Sequence, residues 1–246
     1  MADAFHENAR RMPGPPGIAR LQPGPLSNDA GLEPGAPRWH SRGYLPHFDS
    51  HEVIQHVTFH LADSLPAEAL ARIVEDLRAV PPERQDAERR KRIEAWIDAG
   101  HGCCVLQIPA AARCVQDALL FFDGERYRLF AWVIMPNHVH VLFQTMAGWP
   151  LPRIVASWKS FTGRRLSPLL PQPVGTDTAR RVWHREYWDR FIRDERHFCS
   201  AKEYIHNNPV KAGLVRRPED WMWSSARLAL QQVGEEVPGT PAPAQQ

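Results

Sequence analysis

Three features of this sequence predict an α+β fold. Short stretches with the two-residue period of strands are separated by longer stretches of helical period. Two of the strands are joined by so tight a connection that they must run antiparallel. The order of elements, β-α-α-α-β-β-α-β-α, suits an antiparallel sheet with its helices mainly on one face. The 246 residues, 43% hydrophobic and 24% charged, fit one domain with extensions.

The elements can be justified in order. Residues 1–46 hold eight prolines and six glycines without sustained apolar periodicity, the composition of a mostly disordered extension. Residues 47–230 are the expected folded domain, and the proline-containing tail 231–246 reads as disordered. Gln55–Leu61 alternates strictly, with Val57, Phe59 and Leu61 on one side and His56, Thr58 and His60 on the other. Pro66 opens a helix whose apolar stripe is Leu70, Ile73, Val74 and Leu77. Glu83 to Ala99 is a charged helix with only Ile93, Trp96 and Ile97 as its stripe, and Ala110–Phe122 is a third. Arg126–Met135 and His138–Gln144 are strands flanking the break at Pro136-Asn137. Leu151–Leu166 is helical, Val182–Arg193 extended, and Asp194 caps a helix expected to stop before Pro209. Trp221-Met222-Trp223 should cover an edge or end of the core.

Composition also excludes. No apolar run approaches the roughly 18–20 residues needed to span a bilayer, and the polar N-terminus lacks the apolar stretch of a signal peptide. A cytoplasmic protein is expected. The four cysteines show no CxxC spacing, so they read as idle reduced thiols. The net charge of +2 hides an asymmetry: between Pro152 and Arg217 there are fourteen Lys/Arg against six acids, a surplus of eight. Trp158, Phe161, Trp183, Tyr187, Trp188, Phe191, Phe198 and Tyr204 are interleaved. Cations neutralise phosphates and flat rings stack on unpaired bases, although such a stretch is also compatible with a solvated face.

The chemistry centres on His138-Val139-His140. Residues i and i+2 of a strand share a side, so both imidazoles can chelate one divalent cation while Val139, Val141 and Phe143 face the core. Among twelve histidines such pairs arise easily, and His56/His60 is another, with nothing further around it. A second element sets the first pair apart. Tyr204 lies on the helix after Asp194, and Asn208 follows on the same face one turn on. Two histidines, a tyrosine and an oxygen ligand could form a metal-assisted phosphoryl-transfer site with a covalent phosphotyrosine, although a lone tyrosine on a helix is by itself also an ordinary core or surface residue.

Extended strings carry a family resemblance. Trp132-Val133-Ile134-Met135-Pro136-Asn137-His138-Val139-His140-Val141-Leu142-Phe143 resembles the HUH motif of single-tyrosine transposases. Tyr187–Asp194 resembles their second block. Tyr204–Val215, followed by Trp223-Ser224-Ser225, resembles the third. In this order, over residues 44–226, the sequence is similar to the REP-associated tyrosine transposases, relatives of insertion-sequence transposases acting on single-stranded DNA.

The resemblance implies a ferredoxin-like (RRM-like) fold with the HUH motif on a sheet strand and the nucleophile on a C-terminal helix. It also implies cleavage and rejoining of single-stranded DNA beside short palindromic hairpins, with a 5′-phosphotyrosine and a free 3′-OH. His138 and His140 then match the metal ligands for magnesium or manganese, Tyr204 the nucleophile, and Asn208 the amide completing the metal site. His206 and Asn207 are substitutes for that amide should Pro209 displace it. Tyr187 is the second candidate nucleophile, Tyr127 belongs to the strand before the motif, and Tyr44 to the edge of the extension. Lys159, Arg164, Arg165, Arg185, Arg190 and Arg193 would line the DNA path; Trp183 and Trp188 are either base-stacking or core rings. Insertion-sequence relatives act as dimers and the REP-associated branch as monomers, so either state fits. The N-terminal extension and the helical insertion before Ala110 depart from the simplest relatives, and neither touches the motif. Three other readings compete: a hairpin-binding descendant without strand transfer, a histidine-triad hydrolase, which Leu142 in the third position disfavours, and a cupin-type metal protein, which the helices disfavour.

Overall fold

The computed structural model describes residues 38–41, 46–49, 53–171 and 181–228. In chain order the elements are β1 (Arg38–Ser41), β2 (Pro46–Asp49), β3 (Ile54–His60), α1 (Ala67–Asp76), α2 (Pro82–Asp98), α3 (Pro109–Leu120), β4 (Tyr127–Ile134), β5 (His138–Thr145), α4 (Leu151–Leu166), β6 (Trp188–Phe191) and α5 (Glu195–Lys211). β1 and β2 pair antiparallel, so strand backbone starts inside the segment expected to be extension. Tyr44 and the tail from 231 lie outside the described residues.

The main sheet has the order β4-β5-β3-β6, antiparallel throughout. With β3 counted first, this is the 2-3-1-4 order of the ferredoxin-like fold, into which α1 and α2 are inserted ahead of the first crossover helix, α3. Val57, Phe59, Val139, Val141 and Phe143 face one side, where α3 and α4 bury Ala111, Val115, Leu119, Ile154, Val155 and Trp158 against them. Those are the two crossover helices. On the opposite face α5 packs Phe198, Ala201 and Ile205 against Ile54, Val133 and Leu142. The histidines of β5 point to this second face, towards α5.

A bulge explains why Arg126–Met135 fails to alternate. β4 carries one extra residue opposite β5 between Leu129 and Ala131, which places Phe130 and Ala131 together against α5 and returns Trp132 to the α3/α4 side. Both faces of β4 are therefore buried, as its composition requires. Its outer edge is closed by the C-terminal segment: Ile134 N–H donates to Trp223 O (2.8 Å) and Val133 bridges Ser224. The Trp-Met-Trp segment thus seals an edge as expected. Val182–Arg193 is extended in a narrower sense, since only Trp188–Phe191 forms a strand.

α1 and α2 enclose a small core of their own, made of Leu65, Ala69, Ile73, Leu77, Ile93 and Ile97. Ala69 takes the inward place expected of Leu70, and Val74 stays exposed. α5 departs further from expectation, because it runs through Pro209. Only the Ile205 carbonyl loses its helical N–H partner there. The helix closes four residues later on Gly213, whose φ of +69° is left-handed. Gly213 N–H donates to Val210 O (3.0 Å) and Leu214 N–H to the Pro209 carbonyl (2.9 Å), a Schellman pair. The N-terminus is capped as read from sequence, Asp194 Oδ1 accepting from His197 N–H at 2.8 Å. Asp194→Ala should cost about 1 kcal/mol, read as a lower urea midpoint at unchanged slope; an unmoved midpoint would show that packing alone holds α5.

Candidate active site

His138 and His140 are 1% and 0% exposed on β5, and their Nε2 atoms converge to 3.1 Å. The residue before them determines what the first presents. Asn137 spends its Nδ2 on the carbonyls of Ile97 (3.0 Å) and His101 (2.9 Å). Its Oδ1 is therefore the end 2.7 Å from His138 Nδ1, which must carry the proton, leaving the Nε2 lone pair free. His140 Nδ1 lies 2.8 Å from Thr58 Oγ1 and 3.2 Å from His56 Nε2. With Thr58 accepting, its Nε2 lone pair faces the same point. Burial above all holds the pKa of His138 and His56 well below the usual imidazole value, so both are neutral.

A carboxylate completes the cluster. Asp98, the last residue of α2, places Oδ1 3.4 Å from His138 Nε2 and 3.9 Å from His140 Nε2. One ligand atom from each of the three residues lies within 4.8 Å of the others. Burial raises the Asp98 pKa, but the facing imidazoles of His140 and His138 and the Tyr204 hydroxyl outweigh it and hold it below the ordinary value. Asp98 Oδ1 and Asn208 Oδ1 are both buried without a hydrogen-bond partner among the described residues.

Tyr204 is half-buried on α5 and donates to Asp98 Oδ2 at 3.1 Å. Its ring lies 5.3 Å from that of His140 and 5.9 Å from that of His56, with the Lys211 ammonium 4.6 Å from its centroid. Burial, then the carboxylates of Glu94 and Asp98, push the phenol pKa up and keep it protonated here. One turn on, Asn208 Nδ2 is 3.5 Å from His140 Nε2; Pro209 does not displace it. His206 instead meets Ser225 Oγ (2.9 Å), and Asn207 lines a groove on the outer side of α5. Tyr187 is 6% exposed within the main core, and Tyr127 donates to Leu119 O (2.8 Å) there. Of the described tyrosines, Tyr204 alone adjoins the histidines.

The basic residues divide. Arg190, cross-strand from His56, lines a pocket of about 50 Å³ with Asp98, His140, Glu94 and Trp188. Lys159, Arg164 and Arg185 line an open groove of about 590 Å³ with Arg181 and His184. Lys159 is already engaged, donating to Arg185 O (2.9 Å), and burial lowers its pKa to about 8. Arg165 stacks on Phe161 at 3.8 Å, and Arg193 is exposed beyond β6; neither lines the pocket or the groove. Trp183 is a core ring, its N–H held by Thr162 Oγ1 (2.8 Å). Trp188 lies nearly parallel to His60, centroids 4.9 Å apart.

The sequence model of the family described as "Transposase IS200 like" matches residues 120–208, which hold His138, His140, Tyr204 and Asn208. The chain is 27% identical over 112 residues to the REP-associated tyrosine transposase of Escherichia coli K12, covering 45% of this chain and 62% of the relative. It is 28% identical over 109 residues to a Haemophilus influenzae protein provisionally named for the same transposase, covering 40% and 58%. Residues 120–208 are thus similar to the IS200-like transposases. The chain spans about three fifths of the length of these relatives. A solved REP-associated tyrosine transposase bound to a REP hairpin is similar at 15% identity and a TM-score of 0.40, over 74% of this chain and 81% of that one. No helix among the described residues is long and apolar enough to cross a membrane.

Sequence reading missed three parts of this site. Asp98 is one acid among several on a charged helix, and the insertion that carries it does touch the motif. His56 is surrounded after all, by His140 and Tyr204, and Thr58 supports His140. Only strand register reveals these two. Asn137 was visible beside the motif, but not its partners 36 and 40 residues back. Because Asn137 fixes the His138 tautomer, Asn137→Ala should weaken Mn²⁺ binding about 10–100-fold by calorimetry. Unchanged affinity in a folded variant would refute that role.

Proposed function

We propose that this protein is a metal-dependent single-stranded DNA endonuclease and strand transferase acting beside short palindromic hairpins through Tyr204. The observation that carries this reading is one junction between β5, α5 and α2. There two imidazole lone pairs, the unpaired Asp98 Oδ1, the Asn208 amide and the Tyr204 hydroxyl meet.

The donor set fits a divalent cation. Two acceptor nitrogens 3.1 Å apart repel each other unless a proton or a cation lies between them. Adjacent donors of an octahedral magnesium site lie about 3 Å apart. His138 and His140 would hold Mg²⁺ or Mn²⁺, with Asn208 as oxygen donor after an amide flip and Asp98 as a second. The adjoining pocket of about 50 Å³ has room for a few waters or phosphate oxygens. A bound ion would supply Lewis acidity, stabilising charge on the non-bridging phosphate oxygens.

The chain's own groups do the rest. Tyr204 Oη attacks phosphorus as its proton passes through Asp98 Oδ2, which accepts the hydroxyl, to solvent, and the bond from phosphorus to the 3′-oxygen breaks. That oxygen takes a proton to become a free 3′-OH, while the phosphate stays esterified to Tyr204 at the 5′ side. Attack by another 3′-OH reverses the step and rejoins strands. Arg190 reaches this pocket, whereas Arg164 and Arg185 flank a groove suited to the hairpin's phosphates, with Lys159 bracing its wall. Bacterial chromosomal repeats are the proposed substrate, met in the cytoplasm by a monomer or a homodimer.

The decisive experiment uses end-labelled single-stranded hairpins from the repeats of the source genome, with Mn²⁺ or Mg²⁺, on denaturing gels. Expected is a metal-dependent protein–DNA adduct that Tyr204→Phe abolishes. Adducts lost only with Tyr187→Phe would overturn the nucleophile, and tight hairpin binding without any adduct would establish the binding-only descendant. A second measurement addresses the DNA path: Arg190→Ala should lower affinity for all sequences alike and flatten the salt dependence by about one counterion. Unaltered affinity and slope would remove Arg190 from the path.

A further inference from the structure

The two oxygens of Asp98 serve different neighbours. Oδ1 faces His138 and His140 and has no hydrogen-bond partner among the described residues, whereas Oδ2 accepts the Tyr204 hydroxyl at 3.1 Å. We infer that Asp98 is a positioning residue that ties the nucleophile to the metal site, one oxygen for the cation and the other for Tyr204, and that the helical insertion is therefore part of the catalytic site. The inference rests on the strand-transfer reading and adds to it a residue outside the matched segment 120–208.

The end of α2 is built to aim this carboxylate. Ile93 and Ile97 anchor the helix in the small core of the insertion. Asn137 grips the carbonyls of Ile97 and His101, one residue before and three after Asp98, with the same side chain that orients His138. Gly100 ends the helix at a φ of +78°. The returning chain is fastened by Trp96 Nε1–H to Ser64 O (3.0 Å) and by Cys103 N–H to Asp63 Oδ2 (2.9 Å). Gly102 backs onto Asp63 so closely that a Cβ there would meet its Oδ1 at 2.9 Å. A surface acid would need none of this. Glu94, one turn earlier on α2, also faces the Tyr204 hydroxyl but does not belong to the histidine cluster.

The consequence is that cation binding and tyrosine placement are coupled. A cation drawing on Oδ1 fixes the carboxylate, and through Oδ2 it fixes the phenol oxygen beside the phosphate. Without Asp98 the histidines would still bind a cation, more weakly, and Tyr204 would not register its arrival.

The test needs no DNA. The full chain labelled with 3-fluorotyrosine is titrated with Mg²⁺ and followed by ¹⁹F NMR, the Tyr204 resonance being assigned by its loss in Tyr204→Phe; Mn²⁺ affinity is measured in parallel by EPR. In the wild type, Mg²⁺ should shift the Tyr204 resonance. Asp98→Asn should lower Mn²⁺ affinity at least tenfold and abolish the shift even at saturating Mg²⁺. Glu83→Gln, at the exposed start of the same helix, should leave affinity within twofold and preserve the shift. Wild-type affinity in Asp98→Asn, a persistent shift, or an equal loss in Glu83→Gln would each overturn the inference. If the wild type still forms the covalent adduct, the strand-transfer reading survives that outcome.

Discussion

Two imidazoles buried side by side on one strand need a partner for every ring nitrogen, and much of this structure follows from that requirement. A buried polar nitrogen without a partner costs of the order of 1–3 kcal/mol. The outer nitrogens are provided for by protein: Asn137 for His138, Thr58 and His56 for His140. The inner nitrogens face each other, the Asp98 carboxylate and the Asn208 amide, whose Nδ2 is the nearer end. The protein thus supplies one complete ring of hydrogen bonds and directs every remaining donor to a single point. Electrostatically, that is what a binding site for a small hard cation amounts to.

The same requirement explains the layering. One side of the sheet is an apolar interface with α3 and α4, as Val57, Phe59, Val139 and Val141 demand. The other side is divided: the β4 end is apolar under α5, while His56, Thr58, His138 and His140 form a polar patch. α5 lies across that divide. Phe198 and Ile205 pack on the apolar part, and Tyr204 and Asn208, offset around the helix, reach the polar part. The bulge in β4 assists by turning both Phe130 and Ala131 towards α5.

What was legible in the sequence was whatever local period or covalent neighbourhood encodes. Alternation in Gln55–Leu61 and His138–Gln144 located the two central strands, and i, i+2 geometry paired the histidines. One helical turn linked Tyr204 to Asn208. Misread were features decided by tertiary context. Pro209 stays in helix because Gly213 and Leu214 close the end beyond it. Trp183, left open between base stacking and core by the sequence, is a core ring because Thr162, on a different element, takes its N–H. Asp98 was illegible for a deeper reason: nothing in a run of glutamates, aspartates and arginines marks the one acid whose neighbours Ile97 and His101 will have their carbonyls held by an asparagine 40 and 36 residues later.

Distance along the chain has a consequence for how the protein comes into being. The contacts that define the site join residues far apart in sequence: His56 to His140 across 84 positions, Asp98 to Tyr204 across 106, and His140 to Asn208 across 68. Each such closure must overcome chain entropy before neighbouring contacts reward it, which makes folding slow compared with a helical bundle of equal size. During synthesis, β3 and the insertion leave the ribosome with β5, β6 and α5 still to be made, and Tyr204 lies on α5. On the proposed strand-transfer reading, a chain interrupted before residue 204 would hold both histidines without its nucleophile, so the reactive group would be acquired only as the domain is completed.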